Sequence, residues 1–149
     1  MSQCEVQVFC LPHYEGLPLP AYMTEGSSGL DLYAALENEV ILESHQRGLI
    51  PTGIQISLPP GFEAQVRPRS GLALKEGIGI LNAPGTIDQD YRGEIQVILY
   101  NTHSQSYAIR RGMRIAQLVV APVVKAQLVL VDKLNPTTRG AGGFGHTGR

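Results

Sequence analysis

The run IAQLVVAPVV, residues 115–124, contains the longest apolar stretch of the chain and decides its fold class. It is rich in β-branched residues and lacks the sustained apolar spacing of three to four residues that an amphipathic helix needs. A membrane-spanning helix takes about 20 apolar residues, so the apolar part at 118–124 is far too short to cross a bilayer. We therefore predict a β-strand here.

Short runs of the same kind lie on both sides of this strand, and none shows a sustained helical period. The further predicted strands cover residues 6–11, 30–36, 40–42, 54–58, 63–67, 95–101 and 128–131. The 17 glycines and 10 prolines are spread between these runs as turn formers. The one helix candidate is short, residues 71–76, with Ser70 as its N-cap. This pattern predicts an all-β sandwich, jelly roll or barrel.

Composition narrows the class of protein further. A chain of 149 residues with 43% hydrophobic and 17% charged residues predicts one folded domain rather than a disordered chain. The formal net charge of −1 argues against direct nucleic-acid binding, which needs a surplus of cations. The two cysteines, Cys4 and Cys10, are placed on one face of a predicted strand rather than in bridging geometry, which favours a reducing compartment. With no leader-like N-terminus, we expect a soluble cytoplasmic protein without a membrane partner.

The segment RPRSGLALKEG, residues 67–77, contains a candidate anion site. Arg69, Ser70 and Gly71 open the predicted helix, where free N–H groups and the positive end of the helix dipole favour a negative ligand. The arginine and the serine hydroxyl would add donors. An ordinary capped helix with a solvated arginine explains the same residues, and the sequence leaves both interpretations open.

Carboxylates in two other segments are candidates for chemistry. Asp88 and Asp90 lie in the turn-rich segment NAPGTIDQDYRGEIQV, residues 82–97, where aspartates also serve simply as turn formers. Asp31 lies between Leu30 and Leu32 on a predicted strand, where an aspartate is disfavoured and suggests a partner such as a cation. The four histidines show no metal-ligand spacing, which argues against a zinc enzyme.

The last thirteen residues, TTRGAGGFGHTGR at 137–149, are rich in glycine around the single aromatic Phe144. The segment contains the spacing G-x-G-x-x-G, but no helix can follow it, so a dinucleotide site is excluded. Two interpretations remain. The segment is a frayed terminus, or it is a lid over a nucleoside triphosphate that uses Arg139, Thr147 and Arg149 as donors and Phe144 as a stacking ring.

Five motifs now stand in an order that is recognisable. They are GSSGLDLYA around Asp31, RPRSGLALKEG at 67–77, GTIDQDYRGEIQV at 85–97, RIAQLVVAP at 114–122 and RGAGGFGHTG at 139–148. In this order and spacing the chain resembles the trimeric deoxyuridine triphosphate nucleotidohydrolase (dUTPase) family along nearly its whole length. The resemblance implies a jelly-roll-like (β-clip) barrel at residues 1–136, with one short helix, and a flexible C-terminal arm at 137–149 that closes the active site.

The resemblance also implies an activity and an assembly. The expected reaction converts dUTP and water to dUMP and pyrophosphate with Mg²⁺, which limits uracil incorporation into DNA and supplies dUMP for dTTP synthesis. The expected assembly is a homotrimer whose active sites are shared between subunits. Cytosine would present the wrong donor and acceptor pattern to a hairpin that reads uracil through backbone groups.

Roles for individual residues follow from the same resemblance. Asp88 is expected to be the catalytic base, and Asp31 to hold Mg²⁺ through water. Phosphate contacts are expected from Arg69, Ser70, Gly71, Gln117, Arg139, Gly145, His146 and Thr147. Uracil and deoxyribose contacts are expected from Asn82, Gly85, Thr86, Ile87, Tyr91 and Phe144.

The sequence departs from the family pattern at two positions, and two rival functions are considered. Ala141 and His146 stand where many members carry small hydroxyl residues, so two phosphate donors are lost or altered. The first rival is a dCTP deaminase-like enzyme of the same fold. The resemblance implies that such an enzyme needs a glutamate base and lacks the Asp-x-Asp-Tyr turn that this chain has from Asp88 to Tyr91. The other rival is a non-catalytic trimeric module that binds dUTP.

Overall fold

The computed structural model describes residues 4–144, which form eleven β-strands and one α-helix. The strands are β1 (Gln7–Cys10), β2 (Leu30–Tyr33), β3 (Val40–Leu42), β4 (Arg47–Pro51), β5 (Ile54–Ser57), β6 (Phe62–Arg67), β7 (Ile78–Ile80), β8 (Gly85–Ile87), β9 (Gln96–Asn101), β10 (Tyr107–Ile109) and β11 (Arg114–Pro122). The helix α1 spans Ser70–Glu76, and a short 3₁₀ helix spans Pro12–Tyr14. The all-β class with one short α-helix is thus confirmed.

The strands form four antiparallel sheets. The largest has the strand order β2-β11-β6-β8, and a three-stranded sheet has the order β4-β9-β7. Two-stranded sheets join β1 to β5 and β3 to β10. Among residues 4–144, β8 pairs only with β6, so it lies at the edge of the largest sheet, and its other edge carries backbone groups that no described strand pairs.

One apolar core unites these sheets. Alternate side chains of β5 and β9 are buried, as expected for strands with one face toward the core. Leu32, Ile50, Ile95 and Leu99 are among the core side chains with at most 1% of their surface exposed. This core holds the ends of β2, β8 and β11 in place, where the predicted site residues lie.

Most predicted strands are found, and two predictions are wrong. Residues 128–131 form no strand, and Leu128 and Leu130 are almost fully exposed at 93% and 101%. The helix begins at Ser70 itself, with Arg69 as N-cap in extended conformation (φ −90°, ψ 126°). Ser70 is therefore not the N-cap, because its backbone is already helical.

Four strands lacked a clear signal in the sequence. β4, β7, β8 and β10 are only three to five residues long, and three of them contain glycine or proline. β4, β7 and β8 pair with the six-residue strands β9 and β6, which supply the order that the short segments lack. β10 pairs with β3, which is equally short, so neither segment alone gives a strong signal. No helix within residues 4–144 combines the length and apolarity needed to span a membrane.

Candidate functional site

A buried carboxylate lies at the centre of the first group of site residues. Asp31, on β2, is 1% exposed. Arg114 Nη1 donates a hydrogen bond to its Oδ2 at 3.0 Å, and Arg69 Nε lies 3.4 Å from Oδ1. Arg69 Nη1 also donates to the carbonyl oxygen of Arg114 at 3.1 Å. The cation that the sequence suggested beside Asp31 is thus supplied, within the chain, by two guanidinium groups.

A β-bulge in β11 makes this arrangement possible. Arg114 pairs with Tyr33 and Ala116 pairs with Leu32, so Ile115 is an extra residue in the ladder. In a regular strand, residues 114 and 117 would point to opposite faces, because successive side chains alternate. The bulge turns Arg114 onto the face that carries Asp31 and Gln117.

Gln117 completes this group, which we call the Asp31 cluster: Asp31, Arg69, Arg114 and Gln117. Gln117 lies directly opposite Asp31 in β2, and it is half-buried. Gly29 leaves room for it, since a Cβ at Gly29 would lie 3.1 Å from the Cβ of Gln117. The start of α1 is next to Arg69, with Ser70 and Gly71 exposed and open space around Gly71. The four phosphate contacts expected before the C-terminal arm are therefore neighbours.

The second group lines a cavity of about 280 Å³, which we call the hairpin cavity. Its wall includes the predicted residues Asn82, Gly85, Thr86, Ile87, Asp88 and Tyr91, together with Glu94 and Gln96. Aliphatic residues of β4, β6, β7 and β9 form the remainder of the wall. Polar groups on one side and aliphatic groups on the other suit a small amphipathic ligand.

Local packing shapes this cavity. A Cβ at Gly85 would lie 3.3 Å from Asn82 Nδ2, so any other residue would push the side chain of Asn82 aside by a few tenths of an ångström. Asp88 begins a tight turn in which the Tyr91 N–H donates to the Asp88 carbonyl oxygen at 3.1 Å. The carboxylate of Asp88 is exposed at the rim of the cavity. A base placed there would be accessible to both water and substrate.

The ring of Tyr91 folds back over Gly93. A Cβ at Gly93 would lie only 2.3 Å from Tyr91 Oη, so any other residue would displace the ring. Tyr91 Oη donates to the carbonyl oxygen of Glu94 at 2.9 Å. The side chain of Glu94 is itself held, because its Oε1 accepts from the Gly53 N–H and from His13 Nε2, both at 2.7 Å.

Three of these residues escaped the sequence analysis as parts of the site: Arg114, Glu94 and His13. Arg114 and Glu94 both stand inside quoted motifs, so their position in those motifs was a usable signal. His13 gave none, since it lies 81 residues from Glu94 along the chain.

The Asp31 cluster and Asp88 are not brought together within one chain. Ile87 pairs with Ala64, and Gln117 pairs with Arg67 on the other edge of β6. Two strand spacings across the sheet and four residues along it put the backbones of Asp88 and Gln117 about 16 Å apart. One copy of the chain therefore carries the two halves of the predicted site at separate places.

The described part of the C-terminal arm makes local contacts. Arg139 Nε donates to the Gly142 carbonyl oxygen at 2.9 Å, and the Gly142 N–H donates back to the Arg139 carbonyl oxygen at 3.1 Å. Phe144 is fully exposed. Neither Arg139 nor Phe144 lines the hairpin cavity. The predicted residues Gly145, His146 and Thr147 lie outside the described residues.

The donor set fits an indirect role toward Mg²⁺. Within residues 4–144, no three His, Cys, Asp or Glu side chains are grouped so that they could hold a metal ion directly. Mg²⁺ commonly keeps several waters and binds through substrate phosphates instead. Asp31 Oδ1 is buried 3.4 Å from Arg69 Nε and has no hydrogen-bond partner among the described residues, so it retains the capacity to accept a hydrogen bond from such a water. Gln117, opposite Asp31, adds a second polar side chain at this point.

Comparisons with known proteins agree on one family. The family model described as dUTPase matches residues 15–148. A variant of the dUTPase of Staphylococcus bacteriophage 80alpha, solved with dUpNHpp, is 26% identical with a TM-score of 0.86, over 97% of this chain and 99% of that chain. A dUTPase variant of phage phi11 of S. aureus, described with a structural Mg(II) ion, is 23% identical with a TM-score of 0.78, over 89% of this chain and 99% of that chain.

The family model covers all five motifs and both groups of site residues, including those that line the hairpin cavity. The structural likeness extends over nearly the whole chain. The chain belongs to the dUTPase family and is a dUTP diphosphatase.

Proposed function

We propose that this enzyme converts dUTP to dUMP and pyrophosphate by attack of water on the α-phosphorus, with Asp88 as the base that orients and deprotonates the water. The observation that carries the proposal is the exposed carboxylate of Asp88 at the rim of a cavity lined by the predicted nucleoside residues. A base must come within about 3 Å of the proton that it removes. In the cell, the reaction would limit uracil incorporation into DNA and supply dUMP for dTTP synthesis.

The nucleoside is proposed to bind in the hairpin cavity. β8 is an edge strand, so the backbone groups on its free edge could pair with O2, N3–H and O4 of uracil. Cytosine would leave buried groups unpaired there. Asn82, Gly85, Thr86 and Ile87 would surround the base, and Tyr91 would cover the deoxyribose so that a 2′-hydroxyl has no room.

The triphosphate is proposed to lie against an Asp31 cluster and the start of α1. Arg69, Ser70, Gly71 and Gln117 would donate to phosphate oxygens, and fixed donors of this kind stabilise charge that develops at the leaving pyrophosphate. Asp31 would hold Mg²⁺ through water and keep Arg69 aimed at the phosphates. When bound, Mg²⁺ would neutralise phosphate charge.

The separation of the two halves supports a homotrimer with shared sites. Asp88 and Gln117 must each approach the same triphosphate, yet their backbones lie about 16 Å apart in one chain. A cyclic trimer would bring the Asp31 cluster of one copy to the hairpin cavity of another at three equivalent sites. The arm at 137–149 would come from the third copy, with Arg139, Gly145, His146 and Thr147 on the phosphates and Phe144 on the uracil.

Exposed apolar side chains before the arm also favour assembly. Leu128, Leu130 and Leu134 are 93%, 101% and 81% exposed, and Val124 is 91% exposed. A segment that exposes so many large apolar side chains is typical of an interface. We propose that residues 124–134 pack on a neighbouring copy.

Asp88→Asn tests the catalytic assignment. The amide keeps the shape of the side chain but is no base, so we expect turnover of dUTP to fall at least about 100-fold while its affinity for dUpNHpp is kept. Asp90→Asn is the matched control, because it removes an exposed carboxylate from the same turn. Pyrophosphate release near the wild-type rate in the Asp88 variant would remove that residue from the mechanism. Release of ammonia from dCTP would indicate the deaminase instead, and binding without turnover in the wild type would indicate the binding module.

Mixing two inactive chains tests the shared site. A chain with Asp88→Asn and a chain that lacks residues 138–149 should each be inactive alone. After co-refolding in equal amounts, about a quarter of the sites in a random trimer would combine an intact hairpin with an intact arm. We expect activity to reappear on mixing. Co-assembled trimers without activity would mean that hairpin and arm come from the same copy.

A further inference from the structure

We propose that Glu94, held by His13 and by the backbone of Gly53, is a positioning residue for Tyr91 and thereby sets the discrimination between deoxyribonucleotides and ribonucleotides. The inference rests on the role proposed above for Tyr91 at the sugar. It gives a role to Glu94, to which the motifs assigned none, and to His13, which lies 81 residues away along the chain.

The contact between Tyr91 and Glu94 is direct. Tyr91 Oη donates to the carbonyl oxygen of Glu94 at 2.9 Å, and Glu94 lines the hairpin cavity beside Tyr91. The residue Tyr91 is 43% exposed, so little other packing holds its ring. The ring orientation therefore depends on Gly93, which gives it space, and on the carbonyl of Glu94, which accepts its proton.

That carbonyl is held both by the side chain of Glu94 and by the peptide bond to Ile95. Glu94 Oε1 accepts from the Gly53 N–H at 2.7 Å and from His13 Nε2 at 2.7 Å. The side chains of Glu94 and His13 are only 18% and 28% exposed, so water can replace these partners only in part. The next residue, Ile95, is bonded to Ile54 through its N–H at 2.8 Å. Glu94 is thus tied to the turn between β4 and β5.

His13 is itself fixed to the body of the protein. It lies on the 3₁₀ helix Pro12–Tyr14, and its carbonyl oxygen accepts from Arg111 Nη1 at 2.9 Å. Tyr14 packs directly on Gly53, where an added Cβ would lie 3.0 Å from Tyr14 Cδ2. The N-terminal segment is therefore held in place beside Glu94. A variant that displaces this segment would shift Glu94 and, through it, the ring of Tyr91.

A purely structural role for the same contacts makes a different prediction. If His13 and Glu94 only attach the N-terminal segment to the turn after β4, their loss would lower stability and leave substrate choice unchanged. If Glu94 positions Tyr91, its loss would change the ratio of kcat/KM for dUTP to kcat/KM for UTP, because a displaced ring would leave space for the 2′-hydroxyl.

The test compares this ratio, from pyrophosphate release, in the wild-type enzyme and in Glu94→Leu, Glu94→Gln, His13→Ala and Tyr91→Ala. We expect Glu94→Leu to lower the ratio about tenfold with kcat for dUTP within about threefold of wild type. Glu94→Gln keeps an acceptor for Gly53 and should restore most of the ratio, and His13→Ala should give an intermediate value. Glu15→Leu, an exposed glutamate on the same segment, is the control and should leave the ratio unchanged.

Each outcome decides between the assignments. An unchanged ratio in Glu94→Leu, with a lowered ratio in Tyr91→Ala, overturns the inference and leaves the proposed role of Tyr91 intact. An unchanged ratio in both variants overturns the role of Tyr91 and, with it, the inference. Should Glu94→Leu fail to fold, His13→Ala decides, because a wild-type ratio in that soluble variant contradicts the positioning role.

Discussion

Replacing Asp31 with asparagine should cost the enzyme about 2 kcal/mol of folding free energy. Asp31 is 1% exposed, and its oxygens lie 3.0 Å from Arg114 Nη1 and 3.4 Å from Arg69 Nε. Asparagine keeps the size of the side chain but removes the charge and one acceptor oxygen. Two guanidinium groups would then lose their anionic partner at the junction of β2, β11 and α1.

The magnitude follows from the exposure of the partners. Breaking a fully buried ion pair costs about 3–5 kcal/mol, and one hydrogen bond to a charged group contributes about 1.5–3 kcal/mol. The side chains of Arg114 and Arg69 are 44% and 26% exposed, so water would solvate them in part after the substitution. This solvation moves the expected cost to the lower part of the range.

Urea unfolding followed by circular dichroism measures the cost, at one fixed protein concentration because assembly contributes to apparent stability. A double-mutant cycle with Arg114→Gln should give a coupling free energy of at least about 1 kcal/mol. Glu39→Gln is the control, since its ion pair with Arg110 is exposed and should contribute less than about 0.5 kcal/mol. A change below about 0.5 kcal/mol in Asp31→Asn, or no coupling to Arg114, would refute the reasoning.

Three further predictions concern other parts of the molecule. Tyr91→Ala should raise the acceptance of UTP relative to dUTP, measured by pyrophosphate release, and an unchanged ratio would contradict its role at the sugar. Deleting residues 138–149 should abolish turnover with little change in circular dichroism, and Phe144→Ala should reproduce part of the loss because stacking on a base contributes about 1–3 kcal/mol; full activity after the deletion would exclude a lid. Burial, with smaller contributions from Cys10 and Tyr33, raises the pKa of Tyr14 to about 12 from 10.0, so the folded protein should lose stability between about pH 10 and 12, where only the unfolded chain ionises freely. Tyr14→Phe should lack this loss, and parallel decline of Tm with pH in both proteins would contradict it.

The sequence was most informative where structure is local. Alternating or β-branched apolar runs predicted β5, β6, β9 and β11, because a strand that packs on a core carries its apolar residues in such runs. The short strands β7 and β8 could not be predicted in this way, since their pairing partners supply the order that their own composition lacks. The strand prediction for residues 128–131 failed for the opposite reason. Their pattern is typical of a strand, but no segment within residues 4–144 of the same chain pairs with them.

In the site, too, the residues close together in sequence were predicted, and the contacts between residues far apart in sequence were not. The motifs placed six site residues within 82–91, and these six residues line one cavity. The partner of Asp31 was not predicted, because alternation places Arg114 on the wrong face of β11 unless the bulge is known. The bond between His13 and Glu94 joins positions 81 residues apart, and only the folded chain brings them together.

The bulge at Ile115 divides β11 into two halves of opposite phase. Before it, the even-numbered Arg114 faces the Asp31 cluster, and after it the odd-numbered Gln117 does, while Ile115 and Ala116 are both buried. When this enzyme is recombined with a relative, or when its outward-facing positions are randomised, those positions have even numbers before the bulge and odd numbers after it. A crossover that loses the one extra residue would leave Arg114 two positions before Gln117, still on the face of the Asp31 cluster, but it would remove the buried side chain of Ile115 from the core. A hybrid at this strand therefore keeps this part of the core only if it retains the bulge residue with an apolar side chain.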